Sequence, residues 1–162
     1  MQEPDLTVIR HLKNRGKFED AREQLAQWME KEADNPYLEL EMGLILDELS
    51  KIPEAIDWYR QALTHDPPKA LKRQILISLA NDLRMNGLIY DARQWLEKAH
   101  KEFPHDVAID LFYALTLWQD DDRGSAFRLL WTVILGEPAF KKEIDPYRST
   151  LRYYSQHFND RT

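Results

Sequence analysis

The sequence predicts an all-α fold built from stacked pairs of short antiparallel helices, and three observations carry that prediction. Leu, Ala, Glu, Lys, Gln and Arg dominate the 162 residues, Gly numbers only 5, and extended β-branched runs are scarce, a bias toward helix. A set of offsets then recurs. Ala55, Ala62 and Pro67 stand at zero, plus seven and plus twelve; Ala92, Ala99 and Pro104 repeat the set, and Ala126, Val133 and Pro138 repeat it with one valine. The third observation is the period: Ala21, Ala55, Ala92 and Ala126 lie 34, 37 and 34 residues apart (55 − 21, 92 − 55, 126 − 92). That is about the length of chain two short helices and their turns consume.

The first helix is predicted over 5–14 and is broken by Asn14-Arg15-Gly16, where glycine supplies a permissive turn. The second covers 18–31, with Phe18, Ala21, Leu25, Trp28 and Met29 on one face at helical spacing. Asn35-Pro36 opens the third with a capping side chain and a proline of pre-set φ, and the helix carries Leu40, Gly43, Leu44 and Leu46 to a stop near Leu49-Ser50. The fourth runs over 53–64 with Pro53 in its first turn. The step of 37 places about three extra residues at DPPKALKR, as a longer loop or an early turn of the fifth helix, which spans 69–86. The sixth covers 89–102 and the seventh 106–118; QDDDRG is a turn, the eighth covers 125–135, and GEPAF is a loop. Asp145-Pro146 caps a ninth helix over 146–158, which closes the end of the stack.

The small residues mark close approaches between helices. Gly43, Ala80 and Ala114 stand twelve positions before Ala55, Ala92 and Ala126, placing a small residue on each helix of a pair. Tyr59, Leu96 and Leu130, four positions after those alanines, are the bulky partners that fill the space between contacts. Trp58 and Trp95 occupy equivalent places and read as packing residues.

Composition narrows the function. The formal charge is −6, with 22 basic and 28 acidic residues, and no polybasic segment stands against a nucleic-acid backbone. With no cysteine there is no disulfide, thiol nucleophile or thiolate metal site. The N-terminal residues lack the apolar core of a secretory signal, and no apolar run approaches the roughly 20 residues of a membrane helix. A cytoplasmic protein that does not enter membranes is expected. His11, His65, His100, His105 and His157 form no H-E-x-x-H, and there is no glycine-rich phosphate loop. Asp120, Asp121 and Asp122 fall in a helix–helix turn, an ordinary place for such residues. No catalytic residue, metal or cofactor is expected.

The recurring marks resemble those of the tetratricopeptide repeat family. Gly43, Ala55, Tyr59, Ala62 and Pro67 match one unit; Ala80, Gly87, Ala92, Leu96, Ala99 and Pro104 match the next; Ala114, Ala126, Leu130 and Pro138 match a third apart from Val133. Around Ala21 and Leu25 only part of the pattern remains, and Ile9 takes the place of the first small residue. Asp5, Glu39, Leu76 and Asp110 stand where the family often has an early aromatic residue. The resemblance implies a right-handed α-α superhelix with repeats near 2–35, 36–69, 73–106 and 107–140 and a C-terminal capping helix near 146–158, all in one domain over 1–162.

The resemblance also implies a concave groove lined by the first helix of each unit. Counting back 18, 15, 11 and 8 from each marker alanine gives Glu3, Leu6, Arg10 and Lys13, then Tyr37, Leu40, Leu44 and Asp47, then Gln74, Ile77, Asn81 and Arg84, then Ala108, Leu111, Leu115 and Trp118. Of these, Arg10, Lys13, Tyr37, Leu40, Gln74, Asn81, Arg84 and Trp118 are the expected partner-binding residues. Arg10, Lys13 and Arg84 suit a carboxylate, and Asn81 suits a peptide backbone. Leu40 and Leu44 stand where the chaperone-binding branch of the family needs polar donors. Leu111, Leu115 and Trp118 either continue the apolar contact or, as favoured here, bury under the ninth helix. Tyr147, Tyr153, Tyr154 and Phe158 are expected to cap the last unit, the alternative being contact with a second copy. The function so implied is a non-catalytic protein–protein interaction module that holds a peptide or helix of a partner. The alternative is a self-assembling element that pairs through its terminal helices as a homodimer.

Overall fold

The computed structural model describes residues 4–136, 138 and 141–156, except the side chain of Glu143. Every regular element among them is helical. The elements are α1 (Thr7–Asn14), α2 (Phe18–Met29), α3 (Pro36–Glu48), α4 (Ile52–Thr64), α5 (Lys69–Met85), α6 (Ile89–Glu102), α7 (Val107–Gln119), α8 (Arg123–Gly136), α9 (Lys141–Ile144) and α10 (Arg148–Gln156), with a 3-10 turn over Asp145–Tyr147 before α10. The chain divides between Gly87 and Leu88 into two compact units. In the first, α1 packs on α2, α2 on α3, α3 on α4, and α5 on both α3 and α4. In the second, α6 packs on α7, α7 on α8, and α10 on α8.

One turn geometry recurs at four helix ends. Gly16, Ser50, Gly87 and Asp121 all have positive φ (69°, 58°, 79° and 61°), and their spacing is 34, 37 and 34 (50 − 16, 87 − 50, 121 − 87). Ser50 N–H donates to the Asp47 carbonyl and Lys51 N–H to Leu46, a double closure repeated by Gly16 with Lys13 and Lys17 with Leu12, and by Asp121 with Trp118 and Asp122 with Leu117. This left-handed C-terminal cap satisfies the last helical carbonyls and reverses the chain within three residues. Asn35 Oδ1 accepts from Tyr37 N–H at 3.1 Å to start α3, and Asp106 Oδ1 accepts from Ile109 N–H at 3.2 Å to start α7. Asp122 Oδ1 accepts from Ser125 N–H, so α8 begins at Arg123, two residues earlier than the sequence predicts.

The extra residues of the 37-residue step enter α5 as added helix: it has 17 residues where α3 and α7 have 13. The predicted small contacts are closed. Ala21, Ala55, Ala62, Ala80, Ala92 and Ala99 are 0% exposed, and Ala114 and Ala126 are 1% exposed. Tyr59 and Leu96 are buried as expected, but Leu130 is 38% exposed. Short α9 lies in a stretch the sequence left without structure. The closing helix does pack on α8, with Arg148 donating to the Leu135 carbonyl and Ser155 buried. Its tyrosines do not cap: Tyr147, Tyr153 and Tyr154 are all more than half exposed. Phe158 lies outside the described residues.

A leucine at position 55 or 92 has no room to enter. Ala55→Leu and Ala92→Leu are each expected to destabilise the fold by about 1–3 kcal/mol through overpacking, read as a lower urea midpoint at unchanged slope. Neutrality at both positions would contradict the close packing described.

Candidate functional site

In the first unit a cleft of about 230 Å³ opens among the first helices of the pairs. Leu6 and Arg10 reach it from the α1 end, Tyr37, Leu40 and Glu41 from α3, and Leu71 and Gln74 from α5. Helical register explains the set: Leu6 and Arg10, Tyr37 and Leu40, and Leu71 and Gln74 are each three or four residues apart and share a face. Four expected residues, Arg10, Tyr37, Leu40 and Gln74, therefore meet around one opening. Leu40 forms its apolar floor, since it is only 3% exposed, while Arg10 and Gln74 are exposed at its rim.

The remaining expected residues stand elsewhere. Lys13 Nζ donates to Glu41 Oε2 at 2.7 Å, so it links α1 to α3. Arg84 donates to Asn81 Oδ1 at 2.9 Å along α5. An incoming carboxylate at either position competes with a bond already made. Trp118 belongs to the second unit. It is 58% exposed, with the Arg123 guanidinium 5.5 Å from its ring centre. Val107, Leu111 and Leu115 precede it on the same face of α7, each more than 40% exposed. Burial of Leu111, Leu115 and Trp118 under the closing helix is thus corrected: α10 packs on α8, and the stripe on α7 stays open. A further cleft, of about 410 Å³, lies among α2, α3 and α4, lined by Arg22, Glu23, Ala26, Met42, Leu46, Glu54 and Trp58.

Three buried carboxylates escaped the sequence reading. Glu39 is 0% exposed and accepts from Gln61 Nε2 at 2.8 Å, with His65 Nδ1 2.9 Å from its other oxygen. Asp110 is 5% exposed and lies 2.6 Å from His100 Nδ1. Both replace the family's early aromatic residue, and each is made tolerable by a histidine and its own packing. Asp34, Glu39 and His65 bring ligand atoms within 4.8 Å of one another. His65 faces Glu39 with Nδ1 and Asp34 with Nε2, at 2.9 and 3.6 Å. His65 thus hydrogen-bonds Glu39 of α3 and stands in a longer ionic contact with Asp34 of the preceding turn. The acidic turn also has a structural account: Arg93 donates to Asp120 at 2.5 Å and Asp122 at 3.1 Å, clamping α6 to the start of α8.

Asp82 differs from the other two. It is 2% exposed, and its Oδ2 has no hydrogen-bond partner. Burial, reinforced by the charge of Asp47, pushes its carboxyl from the ordinary 3.8 up to about 7. The folded chain therefore keeps this proton over a range in which the unfolded chain loses it. The stability gained from the neutral form is complete below pH 3.8 and is lost as pH rises toward about 7. An amide has no proton to lose. Asp82→Asn is expected to stabilise the protein by roughly 1–3 kcal/mol at about pH 8 and to give no gain near pH 4. Urea melts at the two pH values test this, and an equal effect at both would show that the carboxyl titrates normally.

Among the described residues no helix is long and apolar enough to cross a membrane. No curated protein matches the chain. Residues 36–151, from the start of α3 into α10, match the family model described as tetratrico peptide repeat. That span contains Ala55, Ala92 and Ala126, the left-handed turns at Ser50, Gly87 and Asp121, and the helices from α3 to α9. With most of its length matched and its described elements all helical, the chain belongs to the tetratricopeptide repeat family, whose repeats generally mediate protein–protein interaction without catalysis.

Proposed function

We propose that the chain is a non-catalytic interaction module that holds a segment of a partner protein along the first helices of its repeats. One observation carries this reading: the cleft where Arg10, Tyr37, Leu40 and Gln74 converge, with an apolar floor and a polar rim. Such a lining suits a peptide. The buried apolar part contributes affinity through area removed from water, and the rim fixes orientation and register. Lys13, Asn81 and Arg84 extend the polar surface along α1 and α5. In the second unit, Val107, Leu111, Leu115 and Trp118 offer an apolar strip at helical spacing, a suitable seat for the nonpolar side of a partner segment. A cytoplasmic setting suits a chain without cysteine.

A second reading, self-association through the terminal helices, is favoured by the exposed Tyr147, Tyr153 and Tyr154. Photo-crosslinking separates the two. Benzoylphenylalanine is placed at Tyr37, at Trp118, at Tyr153 and, as an outer-face control, at Glu23 beside the cleft of Trp58. The proposed reading expects a hetero-adduct from position 37, reduced at least about threefold by Arg10→Ala through loss of a rim charge, and a hetero-adduct from position 118. Adducts from position 23 alone place the partner on the outer face. Adducts of twice the chain mass from position 153 alone support self-association.

A further inference from the structure

Two buried polar atoms, one from α4 and one from α5, belong to one locus against α3. Asp82 Oδ2 on α5 has no hydrogen-bond partner, and the Tyr59 hydroxyl on α4, in a side chain that is 0% exposed, has Ser78 of α5 beside it. The Tyr59 ring lies against Gly43 of α3, so close that a Cβ there would sit 2.3 Å from Cε1. One turn further along the same face of α3 stands Asp47, half-buried, at a position the family uses to line its groove. Burial raises the Tyr59 hydroxyl, followed by the charges of Asp82, Asp47 and Glu41, which ties the four groups together in space. Asp47 is itself pushed up by burial and by Glu48.

The surplus here is of acceptors and negative charge. Asp82 is acted on by its burial, by Asp47 and by a hydrogen bond with Asn81, none of which supplies a cation. Lys13 of α1 is engaged by Glu41. A buried carboxyl oxygen without a partner is costly, so a ligand that supplies donors at this place relieves a cost the free protein already carries. An ammonium carries three donors and a guanidinium five, each on a stem long enough to reach below a surface. Asp47 is the outer ligand of such a group, and Asp82 with Tyr59 is the inner one.

We propose that Asp47, Asp82 and Tyr59 form a subsite for a lysine or arginine side chain of the segment bound along the first helices. This inference rests on the groove reading above and specifies its chemistry: the segment is anchored by a base. The acidic end first expected to meet Lys13 and Arg84 has a weaker claim, since those bases are engaged.

The locus also carries a signature that a purely structural pair lacks. Binding of a cation draws Asp82 into its ionised form, so a proton leaves as the base arrives. With the free carboxyl near 7, up to about half a proton is released per ligand at neutral pH, and affinity falls by as much as about tenfold per pH unit below that. The groups that face this titration are Glu41, Asp47 and Glu48 from α3, Tyr59 from α4, and Ser78 and Asn81 from α5.

The test uses the full chain and a random dodecapeptide library displayed on phage. Recovered peptides are synthesised and titrated by calorimetry in two buffers of different ionisation enthalpy. The proposal expects a lysine or arginine at one shared position. Replacing it with norleucine weakens binding at least about tenfold, Asp82→Asn and Asp47→Asn do the same, and Asp82→Asn abolishes proton release. Asp82→Asn is near-isosteric, and the half-buried Asp47→Asn gives the same reading should position 82 disturb folding. Peptides that are lost with Tyr37→Glu but share an acidic residue, or no charge, overturn the subsite and leave the groove intact. Recovery of no peptide, or of peptides indifferent to Tyr37→Glu and Gln74→Glu, overturns the groove and the subsite together.

Discussion

The ring of Tyr59 lies on the backbone of Gly43, and much of the first unit follows from that contact. No Cβ stands between them, so the ring packs directly on the α3 backbone. Ala55 and Ala62, both fully buried on α4, hold the same spacing on either side of the tyrosine. Close approach has two consequences. It excludes water from the space that α5 then covers, and it carries a phenol hydroxyl and the Asp82 carboxyl into that space. The packing that makes the repeat stable thus also creates its unmet polar demand. Stability and the proposed recognition draw on one arrangement, in which small residues fix helix distance and a few large polar ones sit where that distance leaves them.

The fold was legible because its constraints are periodic. Alanine spacing marks helix contacts, and the turns obey the same 34, 37 and 34 rhythm through their left-handed residues. Only two of the four turns advertise themselves. Gly16 and Gly87 are glycines in a backbone that favours glycine, whereas Ser50 and Asp121 hold the same conformation against a steric cost. Their sequence gives no sign of it, so the turns were placed without their geometry. Local signals also misplaced the start of α8. The eighth helix is predicted from Ser125, but the Asp122 carboxylate caps it earlier; its partial burial is outweighed by the bonds from Ser125 and Arg93 that hold it below the usual range.

The candidate site was legible only in part. Register arithmetic brought Arg10, Tyr37, Leu40 and Gln74 together, because helix phase and repeat length set which side chains share a face. It could not say which charges are engaged, since the pairing of Lys13 with Glu41 joins residues 28 apart in sequence. Nor could it find Glu39, Asp82 or Asp110. A charge within a helix reads as a solvated face, and only the arrival of a neighbouring helix decides otherwise. Residue 39 offered one clue, a polar residue where the family keeps an aromatic, and the structure resolves it as a carboxylate bridged by Gln61 and His65. The α7 stripe failed for a related reason. Apolar residues on a predicted end helix read as covered, yet the closing helix chose α8.

The central claim is that the Gly43–Tyr59 contact sets the helix distance on which both core and site depend. A double-mutant cycle between Gly43→Ala and Tyr59→Leu, followed by urea denaturation, measures it directly. A methyl group at position 43 collides with the ring and has nothing to collide with once the ring is gone. The account therefore predicts a coupling of more than about 1 kcal/mol, with the alanine costly beside tyrosine and tolerated beside leucine. Additivity within about 0.5 kcal/mol would mean that the two helices are held apart by something else, and would contradict the account.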